Sequence, residues 1–261
     1  MPEFAQFLAL GALAGALAGL FGIGGGLVIV PSLVFMLPAI GMVGAKVMHV
    51  AIATSLATIV VTASASVITH HRARAVQWST VRRLSPGLVA GTLLGTAIAD
   101  DLSSAVLRLV FAVFLVVVAL QTLFDGVPRA VGRLPGAIGM AVTGVAIGVL
   151  SALVGIGGGT VITPLLISYN APLRQAIATS AACGLPIALA GTVGYLISGL
   201  NEVGMPAHSS GYIYWPAFAG IALTSVLFAP VGARLTHRVP LRLLNRAFAL
   251  LLIIIAVRLL Y

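Results

Sequence analysis

The chain has 261 residues, of which 60% are hydrophobic and only 7% are charged, and its mean hydropathy is +1.17. Because globular domains carry about 25% charged residues, this composition excludes an ordinary water-soluble monomer. Apolar runs of membrane-spanning length recur, for example at residues 47–69 and 107–124. The sequence therefore predicts an all-α polytopic membrane protein.

The formal net charge of +9 is concentrated in short segments between the apolar runs. These segments carry the arginines Arg72, Arg74, Arg82, Arg83, Arg234, Arg238 and Arg242. Such clusters are typical of cytoplasmic loops that anchor a membrane protein, and not of a nucleic-acid-binding face. The bilayer is therefore an expected partner and nucleic acid is not. The single cysteine, Cys183, excludes an internal disulfide framework.

Hydropathy and turn signals predict ten segments in chain order. In the first half these are 4–21, a short segment at 27–38, 46–69, 84–99 and 104–124. In the second half they are 135–154, a short segment at 160–169, 174–199, 212–232 and 241–260. The two series have the same order of long and short segments.

Two motifs occur once in each half. The first is GIGGG, at residues 22–26 and again at residues 155–159. The second is AIATS, at residues 51–55 and again at residues 176–180. The sequence therefore predicts a tandem duplication within one membrane domain, with a first repeat at residues 1–128 and a second at residues 129–261.

Loop charge predicts how the repeats are oriented. The basic loops 70–83, 125–134 and 233–242 are expected in the cytoplasm, and loop 200–211, which has Glu202 and no Lys or Arg, on the opposite side. The helix at 46–69 then ends inside and its counterpart at 174–199 ends outside. The repeats are therefore predicted to be inverted, as in many secondary transporters, with both termini extracytoplasmic.

Each short segment is too short to cross the bilayer. Ten to twelve residues span about 15–18 Å, against an apolar core of about 30 Å. Each segment with the helix before it is expected to form a re-entrant or broken-helix hairpin. Broken backbone at this depth is tolerated only where protein buries it or where it lines a cavity. Pro31 and Pro164 are expected in the first turn of the segments, where proline needs no N–H donor, and Thr163 is a candidate N-cap.

The glycine runs are predicted to bind an anion. Free N–H groups and the positive dipole end appear at a helix N-terminus, and glycine lets an anion approach closely. The AIATS hydroxyls are candidate ligands too, although Ser and Thr often bond to the i−4 carbonyl of their own helix. The predicted substrate-binding residues are Gly24, Gly25, Gly26, Gly157, Gly158, Gly159, Thr54, Ser55, Thr179 and Ser180. Gly22, Pro31, Gly155 and Pro164 are predicted to break the helices. Gly11, Gly15, Gly144 and Gly148 are interpreted as helix-packing positions.

The sequence does not support metal binding, a proton relay, nucleotide binding or catalysis. The histidines lack metal-ligand spacing, and His49 is interpreted as an interfacial residue. All five carboxylates fall in predicted loops or ends, which argues against a carboxylate proton relay. The glycine runs lack the lysine of a P-loop and the spacing of a dinucleotide fingerprint. No catalytic residue, metal, cofactor or enzyme activity is expected.

The paired GxGGG runs, each with a proline five residues on, resemble the TauE/SafE family of sulfite and organosulfonate exporters. The matching positions are Gly22, Gly24, Gly25, Gly26 and Pro31, with Gly155, Gly157, Gly158, Gly159 and Pro164. The resemblance covers the whole chain. It implies export of a small sulfur oxyanion, such as sulfite or sulfoacetate, across the cell inner membrane.

The residues leave alternatives open. The same glycine runs and hydroxyls could line an anion channel or an uptake permease for another small anion. A membrane sensor or assembly subunit that transports nothing is a third interpretation. The sequence also leaves open whether the protein forms a homodimer.

Overall fold

A computed structural model describes residues 2–21, 25–42, 44, 46–124, 132, 135–235 and 241–260. In these residues the protein is almost entirely helical. The helices are α1 (Pro2–Phe21), α2 (Gly26–Met36), α3 (Val47–Arg72), α4 (Trp78–Asp101), α5 (Ser104–Leu123), α6 (Ala137–Val154), α7 (Gly159–Ser168), α8 (Leu173–Ser198), α9 (Trp215–Leu235) and α10 (Leu241–Leu260). A 3₁₀ turn at Leu37–Ile40 follows α2, and two short strands, β1 (Ser209–Ser210) and β2 (Ile213–Tyr214), form a hairpin before α9.

The long helices meet the length and hydropathy of membrane spans. In the described part of the chain, α3, α5, α6 and α8 are each long and apolar enough to cross a bilayer. Large apolar side chains such as Leu109, Val113 and Val117 are exposed along α5, as expected for a lipid-facing surface. The protein is therefore a polytopic helical membrane protein, as predicted.

The structure corrects the predicted start of α4. This helix begins at Trp78 and not at residue 84, so Arg82 and Arg83 lie on its exposed face and the loop after α3 is only 73–77. The charged side chains hid the helical period in the sequence. The β1–β2 hairpin was not predicted. Loop 125–134, except residue 132, and residues 236–240 lie outside the described residues.

Two helix pairs join the predicted repeats through glycine contacts. Along α1 and α9, Phe7 faces Gly220 and Gly15 faces Ser225, so the two helices run parallel. Along α4 and α6, the contacts likewise advance together, from Gly87 with Ala141 to Gly95 with Val149. Backbone atoms are too close at these positions to admit a side chain. The packing interpretation of Gly11, Gly15, Gly144 and Gly148 is confirmed, since each lies against backbone of the partner helix.

α3 and α8 form the centre of the molecule and run antiparallel. Leu56 lies against Gly191, whereas Ile59 and Ala63 lie against Ala188. Most of the N-terminal half of α3 is fully buried. α5 packs against α10 at the side of this core, and the short helices α2 and α7 pack on α3 and α8, respectively.

Candidate functional site

The second glycine run is a break between two helices. α6 ends at Val154, and Gly155 has a φ of 75°. α7 begins at Gly159, and its N-cap, Gly158, also has a φ of 75°. Only glycine adopts this left-handed conformation without a steric cost, so both ends of the break depend on glycine. The chain breaks here as predicted.

The first run is described only from Gly25 onward. Gly25 is the N-cap of α2 and its carbonyl accepts the amides of Val28 and Ile29 at 3.0 and 2.9 Å. Gly22 and Gly24 lie outside the described residues. α2 and α7 have 11 and 10 residues. Both are therefore too short to cross a bilayer.

Several backbone amides at the two breaks have no backbone acceptor among the described residues. They belong to Gly26, Leu27, Gly157, Gly158, Gly159 and Thr160. These are the N–H groups that the start of a helix leaves free, and the positive end of the helix dipole adds to their potential. The two short helices thus offer hydrogen-bond donors and partial positive charge inside the protein, which suits a negatively charged ligand.

The fold brings the two breaks together. A Cβ atom at Gly26 would lie 2.7 Å from the carbonyl oxygen of Gly155, so the two backbones are in contact. Gly155 also packs against Ile52 of α3, and Gly157 packs against Gly184 of α8. The breaks therefore meet between the two central helices. Glycine serves here both to shape the turns and to permit this approach.

The prolines and Thr163 lie elsewhere in the short helices than expected. Pro31 and Pro164 are each the sixth residue of their helix, in the second turn and not the first. Because proline has no N–H, the carbonyls of Leu27 and Thr160 lose their i+4 partner and the helix is weakened just after its start. Thr163 is inside α7 and is not the N-cap, which is Gly158.

The AIATS threonines hold the starts of two other helices. Thr54 Oγ1 accepts the amide of Tyr214, just before α9, at 3.1 Å. Thr179 Oγ1 accepts the amide of Gln77, just before α4, at 3.0 Å. The two equivalent residues make equivalent contacts, each to the predicted opposite repeat. Each hydroxyl keeps its own proton for a further bond.

The AIATS serines bond to the second break. Ser55 donates to the carbonyl of Gly155 at 2.9 Å, and Ser180 donates to the carbonyl of Gly159 at 3.5 Å. All four motif hydroxyls are buried. The hydrogen bonds of these four hydroxyls join separate elements. None of them is a bond to the i−4 carbonyl of the same helix, which was the alternative interpretation of the motif. A role in binding substrate remains a prediction for all four.

Replacing Thr179 by valine tests its anchoring role. We expect destabilisation by about 1–2 kcal/mol, because the partly buried amide of Gln77 loses its acceptor. For a chain of this size that lowers the melting temperature by several degrees in detergent. Thr179→Ser keeps the hydroxyl and is the control. An unchanged melting temperature in Thr179→Val would contradict the anchoring role.

Two further hydroxyls at the second break were missed in the sequence. Ser151 Oγ and Thr160 Oγ1 are buried and have no hydrogen-bond partner among the described residues. Ser151 is one turn before Gly155, and Thr160 follows the glycine run directly. Their positions beside the run were the available signal, but Ser and Thr are too common in membrane helices for that signal to stand out. A buried hydroxyl without a partner needs an explanation, and a bound ligand is one.

A small cavity of about 30 Å³ adjoins the first break, which is room for a water molecule or two. Gly25 and Ile29 form one wall, Gly15 and Ser225 another, and Thr62 of α3 a third. Groups of histidine, cysteine and carboxylate side chains close enough to hold a metal are absent from the described residues.

The two ends of the bundle differ in charge. One end, here called the basic end, carries the exposed residues Arg72, Arg74, Arg82, Arg83 and Arg174. The other, the acidic end, carries Asp100, Asp101 and Glu202, and Lys46 pairs there with Asp100 and Glu202. Arg108, in the second turn of α5, lies near the same end. His49 lies in the first turn of α3, near the acidic end, and is fully buried within the protein. Its Nε2 lies 2.8 Å from the carbonyl oxygen of Ala99.

Comparison with known proteins places the chain among membrane transporters. The family described as "Sulfite exporter TauE/SafE" matches residues 7–259. A probable membrane transporter protein of Haemophilus influenzae is 38% identical over 96% of this chain and 95% of its own length. Another from Methanocaldococcus jannaschii is 30% identical over 85% of this chain and 80% of its own length. YunE of Bacillus subtilis, also named a probable membrane transporter protein, is 23% identical over 99% of this chain and 98% of its own.

No solved structure matches the chain. The family match and the relatives nevertheless span nearly its full length, and the fold is that of a polytopic membrane protein. This chain is a membrane transporter that belongs to the TauE/SafE sulfite exporter family.

Proposed function

We propose that the protein exports a small sulfur oxyanion, such as sulfite or sulfoacetate, from the cytoplasm, and holds it where the two glycine breaks meet. The observation that carries the proposal is the set of backbone amides around Gly26 and Gly157–Thr160 that have no backbone acceptor in the described part of the chain. Ser151 and Thr160 add two buried hydroxyls that lack a partner among the described residues. Amides and hydroxyls together can donate to several oxygens of one ligand.

The electrostatics favour an anion over a cation. Both short helices direct the positive ends of their dipoles into the centre of the molecule. The carboxylate side chains that the structure describes, those of Asp100, Asp101 and Glu202, lie at the acidic end and not at the breaks. A metal cation would meet donors and positive potential there, with no charged oxygen to bind it.

Charge and membrane potential favour export. The exposed arginines of the basic end would gather anions at the cytoplasmic mouth, if that end is inside as arginine-rich loops predict. A potential of 100 mV, negative inside, favours exit of a divalent anion by about 4.6 kcal/mol, from about 2.3 kcal/mol per charge. Export then needs no coupling ion, whereas uptake would need one.

The proposed mechanism is alternating access between inverted repeats in the cell inner membrane. The parallel pairs α1–α9 and α4–α6, together with the antiparallel pair α3–α8, support repeats of opposite orientation. Each repeat then contributes one break to a shared site, and rocking of one repeat against the other would expose that site to each side in turn. Both termini would be extracytoplasmic.

Transport by the purified protein in liposomes tests the proposal. We expect saturable sulfite efflux, counterflow from preloaded vesicles, and a higher melting temperature in the presence of sulfite or sulfoacetate than of sulfate, thiosulfate or taurine. Counterflow separates a carrier from a channel, because only a carrier exchanges bound substrate across the membrane. Absence of both flux and ligand stabilisation for every anion would overturn the proposal and favour a protein that does not transport.

A further inference from the structure

The acidic end contains a cluster of charged and aromatic side chains around Lys46. Lys46 Nζ lies 2.9 Å from Glu202 Oε1 and 3.7 Å from Asp100 Oδ1. The same amine donates to the backbone carbonyl of Asp100 at 3.1 Å. The side chains of Lys46 and Glu202 are only 23% and 32% exposed. These are the only two ion pairs among the described residues.

Tyr212 belongs to the same cluster and lies on the side of it that faces the centre of the protein. Its hydroxyl lies 2.6 Å from Asp100 Oδ1 and 3.0 Å from Glu202 Oε1, and its ring lies under Lys46 Nζ, 5.4 Å from the ring centre. Burial, and then the two carboxylates, raise the pKa of Tyr212, so its hydroxyl remains a donor. Hydrogen bonds from Lys46 and then Tyr212 lower the pKa of Glu202. Glu202 therefore stays charged down to a lower pH than a free carboxyl.

The cluster joins the two predicted repeats. Lys46 and Asp100 belong to residues 1–128, whereas Glu202 and Tyr212 belong to residues 129–261. The Lys46–Glu202 and Tyr212–Asp100 contacts both cross between them. A rocking motion that opened the acidic end would have to break these contacts.

An aromatic column connects the cluster to the second break. The ring of Tyr195 packs edge to face against the ring of Tyr212, closer to the centre of the protein, with the two ring centres 6.1 Å apart. Tyr195 is fully buried, and its hydroxyl donates to the carbonyl of Ala152, in the last turn of α6, at 2.9 Å. The cluster and this column therefore lie between the second break and the acidic surface.

The basic end is joined differently. There Gln77 Nε2 donates to Gln175 Oε1 at 2.6 Å, which also connects residues 1–128 with residues 129–261. The contact is a neutral hydrogen bond, and the arginines nearby repel one another. In the described residues the acidic end is thus joined by charged side chains, whereas the Gln77–Gln175 and Gln77–Thr179 hydrogen bonds at the basic end are uncharged.

We propose that Lys46, Asp100, Glu202 and Tyr212 form a latch that closes the acidic end and favours the conformation open to the basic end. The inference rests on the proposed alternating-access function and adds the device that sets its resting state. With the acidic end outside, the resting exporter would face the cytoplasm, where its substrate binds. Opening the latch would release the substrate.

Thiol labelling tests the latch directly. Thr62 lines the cavity at the first break, so Thr62→Cys in a Cys183→Ala chain reports access to the centre. A membrane-impermeant thiol reagent is added to the acidic-end side. Glu202→Gln and Lys46→Met are each expected to increase the labelling rate by up to about fivefold, the ratio that the upper limit for a partly exposed ion pair gives. Lys46→Arg keeps the charge and should label like the parent.

Two controls make this result specific. Asp101→Asn removes a negative charge from the exposed neighbour of Asp100, outside the cluster, and should leave labelling unchanged. Val203→Cys, 92% exposed beside Glu202, identifies the side of the membrane that the acidic end faces. Melting temperatures of all variants are measured in parallel to detect unfolding.

The outcomes separate the latch from the proposed function. The latch is wrong if Glu202→Gln labels no faster than Asp101→Asn, or if labelling rises equally from both sides of the membrane. Faster labelling from the acidic-end side without sulfite flux would retain the latch and reject the substrate. Sulfite flux in the parent protein, with unchanged labelling in the variants, would retain the proposed substrate and reject the latch.

Discussion

Replacing Gly158 with leucine is expected to reduce sulfite flux by about 100-fold or more, comparable to removing a key donor from an oxyanion site. Gly158 has a φ of 75°, where a non-glycine residue costs about 1–2 kcal/mol of backbone strain. A Cβ atom there would lie 2.7 Å from Ile187 Cδ1, so the new side chain must displace its surroundings at the start of α7. Both effects disturb the free amides. Initial efflux rates from liposomes measure the change.

Thr160→Val provides the matched test if the leucine variant folds poorly. Valine has nearly the same shape, and the Thr160 hydroxyl has no partner among the described residues whose loss could destabilise the fold. The melting temperature without ligand should therefore be unchanged or higher. Affinity for sulfite should fall about tenfold, as expected when one hydrogen bond to a charged ligand is lost. Unchanged sulfite affinity and flux in both variants would mean that the substrate does not bind at the second break.

Gly91→Leu is expected to prevent folding of most of the protein. A side chain at Gly91 would overlap the backbone of Val145, including its carbonyl oxygen, and α4 and α6 would have to separate. Rigid backbone cannot adjust as a flexible side chain can, so the cost should exceed about 4 kcal/mol. The expected result is a large loss of monodisperse protein after extraction in detergent.

Gly136→Leu is the control for this prediction. A Cβ atom at Gly136, the N-cap of α6, has no neighbour within 4 Å among the described residues, and the substitution should leave yield and melting temperature close to the parent values. Gly91→Ala should fall between the two. A normal yield of folded Gly91→Leu protein would mean that the α4–α6 contact contributes little to the fold.

The sequence determined the membrane class and the location of the breaks. Low charge and long apolar runs exclude a soluble fold on composition alone, whatever the packing. Gly155 and Gly158 mark the second break because both ends of the break require positive φ, which is a local backbone property. The predicted position of the prolines was wrong. The short helices begin directly after Gly25 and Gly158, which are their N-caps, so Pro31 and Pro164 lie in the second turn and not in the first.

The tertiary structure alone decided which distant groups meet. Gly26 reaches Gly155, Thr54 holds the start of α9, and Lys46 pairs with Glu202. Each pair is separated by more than a hundred residues, so no local periodicity or motif specifies it. Such contacts follow from how α3, α8 and the parallel helix pairs pack. Packing depends on the shapes of all surfaces at once, whereas a helix break depends on a few residues of one segment.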